Sequence, residues 1–295
     1  MNTVRLEEAR AFLEELSDNP PWLPYEPMLL PQLFAATKDD STASVDDLTL
    51  LIERSQKLAT RVLSLANSAL YALESTVTSL RRAVSILGFR EVRTLVVMIG
   101  AVSAIKGAKL PKGFDANGLW RHQVRTASLA KGLALAMTSL PDNGLEMAPD
   151  EAYAAGLLHD IGKVFLAAGR PAIWAEIEET RRQKNIDFSD AENEYWGMDH
   201  ALIGAQVLHY WKLPLLLTDP INWHHAPEVA PAFGPEARLL SAANLLAHEG
   251  LPDEGPLPEC VLALLPASVD PDKAASMVRE AVAKTRTEYL SGMMD

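Results

Sequence analysis

Ala155-Gly156-Leu157-Leu158-His159-Asp160-Ile161-Gly162-Lys163 joins an apolar run to an imidazole and a carboxylate on adjacent residues, with a lysine one helical turn further on. The spacing predicts a helix over 151–168, and successive helical side chains diverge by about 100°, so His159 and Asp160 can flank one ion seated over a helix end. Protein-bound dications need several nitrogen or oxygen ligands converging from different elements. Further candidates are His122 near the start of a helix, His200, and the pair His224-His225 before Pro227. A first ion would take His122, His159 and Asp160 with a fourth ligand from downstream, and a second His200 with one or both of His224 and His225, bridged through Asp160 or a water. Two ions about 3.5–4 Å apart would activate a water for attack on phosphorus, with Lys163 steadying a phosphate oxygen. The plainer alternative is a hydrogen-bonded polar core, and His209 and His248 are expected to be core histidines of that kind.

Composition narrows the partners. The 295 residues suffice for two modest domains or one large one, with 48% hydrophobic and 22% charged residues as in ordinary globular proteins. A formal charge of −12 argues against an electrostatic grip on nucleic acid or an anionic membrane. The lone Cys260 excludes an internal disulfide framework and is expected to be inert. No apolar run approaches the roughly 20 residues that span a bilayer, and the first residues lack a signal-peptide pattern, so a cytoplasmic location is expected.

Working outward, the pattern is helical nearly everywhere, which predicts an all-α, multi-helix bundle. Residues 3–17 carry Leu6, Ala9, Phe12, Leu13 and Leu16 at helical spacing, followed by a proline-rich connector from Pro20 to Pro31. Ser44 or Asp46 is expected to cap a helix through Ile52, and Ala59 to Ala72 to form a buried one. Thr78 or Ser79 should open another that ends at Gly88, with a further helix over Glu91 to Ile105. Helices are then expected from Leu119 to Met137, over 171–184, 188–196, 200–211, 214–225 with a break at Pro220, and 235–248. Two more are expected at 259–265 and 271–291. Gly204, one turn past His200, is expected to leave open space above that imidazole. The composition divides the chain into 1–24 (first helix and connector), 25–117 (an N-terminal helical part), 118–250 (the part with the histidines) and 251–295 (a helical tail).

Two blocks resemble the HDOD family, a signalling branch of the HD phosphohydrolase superfamily related to HD-GYP proteins. The first is Val62-Leu63-Ser64-Leu65-Ala66-Asn67-Ser68-Ala69-Leu70-Tyr71, followed by Ser79, Ala83, Ile86, Leu87 and Gly88. The second runs from Leu119-Trp120-Arg121-His122 through Gly156 to Lys163, then Asp199-His200-Ala201-Leu202-Ile203-Gly204-Ala205, Trp211-Lys212-Leu213-Pro214 and His224-His225-Ala226-Pro227. The resemblance covers roughly residues 25 to 250, and its Asn-Ser-Ala-x-Tyr element is the specific one. It implies an HD-type helical bundle with an N-terminal helical subdomain.

For the site, the resemblance implies metal ligands at His122, His159 and Asp160, further ligands at His200, His224 and His225, and a role for Asp160 and Lys163 in catalysis if the chain is active. The late aspartate of catalytic relatives falls at Asn244, and the Gly-Tyr-Pro signature is replaced by Ala226-Pro227-Glu228. Asn244 retains an oxygen but supplies no negative charge to a hard cation. One or two divalent ions are expected, iron or manganese ahead of zinc. The first functional expectation is a bacterial regulatory module that binds a metal or nucleotide-like ligand, or a signalling partner, without efficient turnover. A metal-dependent phosphohydrolase acting on a nucleotide or cyclic dinucleotide is the alternative, and a scaffold with a structural metal the third.

Overall fold

In the computed structural model, residues 3–19, 21, 28–37, 41–68, 71, 73 and 75–285 are described. Among them the secondary structure is entirely helical, as the apolar periodicity requires. The N-terminal part comprises α1 (Thr3–Asp18), α2 (Leu29–Ala36), α3 (Val45–Glu53), α4 (Gln56–Ala66) and α5 (Leu80–Gly107). Ser44 caps α3 in a reciprocal box with Asp47, and Ser79 caps α5. Gly88 breaks α5 at φ 77°, a left-handed conformation that glycine adopts without a Cβ clash.

Downstream lie α6 (Ala116–Thr138), α7 (Pro149–Leu158), α8 (Ile161–Gly169), α9 (Pro171–Lys184), α10 (Phe188–Trp196), α11 (His200–Tyr210), α12 (Leu215–Trp223) and α13 (Gly234–Glu249). Two closing helices follow, α14 (Glu259–Leu262) and α15 (Pro271–Lys284). The antiparallel pair α6 and α7 is the centre of the bundle, with α5, α12, α13 and α15 packed around it. Gly156 lets α7 approach α6 closely, because a Cβ there would lie 2.7 Å from the Ala127 Cα. α1 folds back onto α10 and α11, where Phe12 is buried and stacks on Trp196 with ring centroids 6.0 Å apart.

Several expectations need correction. The helix expected over Ala59 to Ala72 starts earlier and stops at Ala66, while residues 69, 70 and 72 lie outside the described ones, as does most of the proline connector. Asn67 explains the stop. Its Nδ2 donates to the carbonyls of Leu63 and Val77 (2.9 and 2.8 Å), and its Oδ1 accepts the Val77 N–H at 2.7 Å. It thus ties the end of α4 to the segment entering α5. Pro220 does not break α12, which continues through it to Trp223. α14 ends at Leu262, short of the expected 265, while residues 286–291 of the expected last helix lie outside the described ones. The helix expected over 151–168 divides at the doublet, where His159 ends α7 and Asp160 precedes α8.

Gly204 does not open space above His200. It packs α11 against α8, and a Cβ on the facing Gly162 would fall 1.9 Å from the His200 carbonyl oxygen and 2.7 Å from the Gly204 nitrogen. Backbone thereby meets backbone, and this close approach delivers His200 to Asp160. Gly162→Ala is therefore expected to force the two helices apart, costing about 3 kcal/mol in denaturant unfolding, with an altered near-ultraviolet circular dichroism spectrum. Asn67→Ala, which strips both partners from the Val77 peptide, should cost about 1–2 kcal/mol by the same measurement.

Candidate metal and ligand site

The division between α7 and α8 gives Asp160 its position. The turn aims the carboxylate into the bundle, where it is 1% exposed among His159 and His200, both fully buried, and the half-buried His122 from α6. α11 supplies His200, and the end of α12 supplies His224 and His225. Two ligand groups result, each with its donor atoms within 4.8 Å of one another: His122, His159 and Asp160, and Asp160, His200, His224 and His225. Asp160 belongs to both. Either group could hold a metal ion.

Distances define how the rings converge. His122 Nε2 lies 3.2 Å from His159 Nε2 and 3.5 Å from Asp160 Oδ2. His200 Nε2 lies 2.9 Å from Asp160 Oδ1 and 3.1 Å from His225 Nε2. The first of these pairs His200 with the buried Asp160 carboxylate. Lys163 Nζ donates to Asp160 Oδ2 at 2.6 Å.

The opposite edges of the rings are held by acceptors. His159 Nδ1 donates to the Gly156 carbonyl at 2.8 Å and His224 Nδ1 to the Ile221 carbonyl at 2.7 Å. A carbonyl only accepts, so Nδ1 carries the proton and the Nε2 lone pair faces the cluster. His224 Nε2 is accordingly buried with no partner. His200 Nδ1 donates to Glu192 Oε2 at 2.6 Å, and the same oxygen accepts the His200 backbone N–H at 3.1 Å. Orientation of a ring by a carbonyl or carboxylate behind it is the usual support for an imidazole ligand. The donor set and the bare Nε2 atom fit an ion.

Asn244 on α13 lies within hydrogen-bonding reach of His122, and its Oδ1 is buried. His248, one turn later, is exposed and stacks on His122 with ring centroids 4.5 Å apart, so the expected core role is wrong. His209 is likewise exposed. Sequence reasoning also missed Glu192. Its signal was an acid at the apolar spacing of α10, in line with Phe188, Ala191 and Tyr195.

Above the cluster opens a cavity of about 430 Å³, with Lys163, His200, His225, Asn244 and His248 at its floor. Phe114, Trp174 and Phe188 line its walls, the first two with ring centroids 5.7 Å apart. Arg181 also faces it, held by Glu178 at 2.9 and 2.7 Å.

The HDOD domain profile matches residues 23–227, more than half of the chain. The chain belongs to the HDOD family. A curated relative, an uncharacterized protein of Treponema pallidum (strain Nichols), is 26% identical over 208 residues, 70% of this chain. The chain spans only 39% of that relative's length. A solved structure of a protein of Marinobacter aquaeolei VT8, provisionally named a signal transduction protein, matches with a TM-score of 0.69 at 25% identity. That match covers 92% of this chain and 60% of the other. A protein of Shewanella amazonensis SB2B, provisionally named a phosphohydrolase, has a TM-score of 0.70 at 24% identity, covering 97% of this chain and 98% of the other. The fold is thus the common ground between this chain and these two solved structures.

Burial dominates the electrostatics of the HDOD site. It pushes His122 down to about 4, and His159 and His224 down to about 3, against the opposing pull of Asp160. Burial opposes charge on His200 too, but Glu192 and Asp160 together raise it to about 9. An ion would displace that proton. Burial would also raise Asp160, yet His159, Lys163 and His200 hold it well below the usual carboxylate range. The unfolded chain binds protons on its histidines near pH 6.5, whereas in the folded protein His122, His159 and His224 do not until about pH 3–4, and burial lowers His225 as well. The metal-free protein should therefore lose stability as pH falls from about 6.5 towards 4. Glu192, raised by burial, acts in the opposite sense as one group against four. His200 adds stability below its unfolded value that disappears as pH rises through about 9. Urea unfolding in the presence of a chelator, at about pH 7 and about pH 5, is expected to show the lower midpoint at the acid value.

Proposed function

We propose that this chain is a regulatory HDOD module whose His/Asp centre binds divalent metal beneath a cavity for a nucleotide-like ligand, and that it does not turn that ligand over efficiently. One observation carries this: a single carboxylate, Asp160, serves both ligand groups and is already paired with Lys163, while Asn244 supplies no second charge. Two dications held on one shared carboxylate are weakly neutralised, and a nucleophilic water between them would lack a carboxylate to orient it. His122, His159 and Asp160 would hold one ion and His200, His224 and His225 the other, supplying Lewis acidity toward a phosphate oxygen when present.

The cavity suits a nucleotide. Phe114 and Trp174 offer apolar faces for a base, and Lys163 offers an ammonium for a phosphate. The provisional name of the Marinobacter protein, at 25% identity, supports a signalling role. The second reading, a metal-dependent phosphohydrolase, draws support from the convergence of both groups on Asp160. No helix of the described residues is long and apolar enough to cross a membrane. We place the module in the cytoplasm on the grounds of composition.

Elemental analysis after growth with iron and manganese, beside an assay against cyclic dinucleotides, tests the proposal. Bound metal without turnover is expected, with the metal lost in His159→Ala and Asp160→Ala. Asn244→Asp should bind metal at least about tenfold more tightly, a gain of roughly 1.4 kcal/mol. Turnover at the rate of a competent phosphodiesterase would establish the second reading instead, and an empty centre would leave the polar scaffold.

A further inference from the structure

We infer that Lys163 is a built-in counter-ion for the oxygen that the His122 group needs, so that a phosphate-class anion in the cavity and the ion at that group bind together. The inference rests on the metal-binding reading above and assigns the regulation of the same site.

The two oxygens of Asp160 are not equivalent. Oδ1 lies 2.9 Å from His200 Nε2, on the side of the group completed by His224 and His225, with His159 Nε2 further off at 3.5 Å. Oδ2 is the oxygen nearest His122, at 3.5 Å, and it already accepts from Lys163 Nζ at 2.6 Å. If each ion takes one oxygen, the ion at His200 meets at Oδ1 only the proton of its own ligand ring, 2.9 Å away, which metal binding displaces. The ion at His122 must compete with an ammonium for Oδ2.

Burial makes that competition strict. Asp160 is 1% exposed, and a buried carboxylate needs a cation or several donors to offset its lost hydration. With no ion at His122, Lys163 meets the need. A dication at the same oxygen repels the ammonium at short range and low dielectric, so one of them must leave. Lys163 has somewhere to go. Its side chain is 24% exposed and lines the cavity floor, with its ammonium 5.9 Å from the Phe188 ring. Arg181, the other Lys or Arg side chain lining the cavity, is held bidentately by Glu178 and has less charge to spare.

An anion in the cavity therefore draws Lys163 off Oδ2 and frees that oxygen for the metal. Because coupling is reciprocal, metal at His122 likewise presents the ammonium to an anion. The His200 group fills independently, since it does not use Oδ2.

Equilibrium dialysis of the full chain against manganese, with protein-bound metal counted, provides the test. The wild-type protein is expected to hold one ion alone and two with inorganic phosphate or adenosine monophosphate, but one with adenosine, which lacks the phosphate. A second ion induced by the nucleotide and not by inorganic phosphate would mark the nucleotide as the source. In Lys163→Met, the second ion should bind without any anion and with affinity raised about 5–150-fold, the usual span of such couplings. A melting curve checks that the variant is folded, and Lys163→Arg should restore the dependence on anion. Phosphate dependence that persists in Lys163→Met would show direct bridging of the ions by phosphate and overturn the counter-ion role. Equal metal content in every sample of both proteins would also overturn it while leaving the metal centre standing. Absence of metal from every sample would remove both.

Discussion

The contact between Gly162 and Gly204 sets the spacing on which the site depends. Helices normally keep their axes apart by the width of their side chains, but here neither has one at the crossing. α8 and α11 meet backbone to backbone, and His200 arrives within ion-pair distance of Asp160 as a result. The position of Asp160 itself depends on the chain bending at the doublet, between the end of α7 and the start of α8. A straight helix over the same residues would send the carboxylate and the His159 ring in diverging directions. The bend and the missing Cβ together convert a common dipeptide into a centre served by α6, α8, α11 and α12.

Around that centre the electrostatics are arranged for neutrality. Five rings surround one carboxylate, and the rings of His159 and His224 spend their single proton on a backbone carbonyl. The cluster-facing nitrogen of His159 meets only the His122 ring and that of His224 has no partner, which is costly in a buried place unless a cation repays it. His200 differs because Glu192 stands behind it, giving the centre a second buried carboxylate that does not itself face the ligand groups. The cavity above then combines aromatic walls with one transferable ammonium.

Much of this was legible in the sequence, and the limits have physical causes. Long apolar periodicities fixed the helices of the downstream half nearly residue for residue, including 171–184 and 188–196. The histidines could be assigned to one centre because metal-type residues that recur in a helical frame seldom have another reason to do so. What stayed hidden depended on tertiary contact. The bend at His159-Asp160 carries no proline or glycine to announce it. Asn67 ends α4 by bonding a peptide ten residues away, a partner that no local pattern reveals. Glycine at 204 reads equally as empty space or as close packing, and only the facing Gly162 decides. Glu192 and His248 were misjudged for a related reason: a single polar residue takes its meaning from the neighbour it meets in space.

Phe12 and Glu192 give the first helix a consequence beyond its own burial. α10 carries Trp196, on which Phe12 stacks, and also Glu192, which grips His200. Arg170 lies over the Phe12 ring and pairs with Glu15, and Gly169 leaves room for that ring at the end of α8. α1 therefore touches the two helices that position the carboxylate behind His200 and the turn bearing Asp160. Lifting it would uncover Trp196 and slacken both supports at once, making the helix a mechanical handle on the tension of the centre beneath.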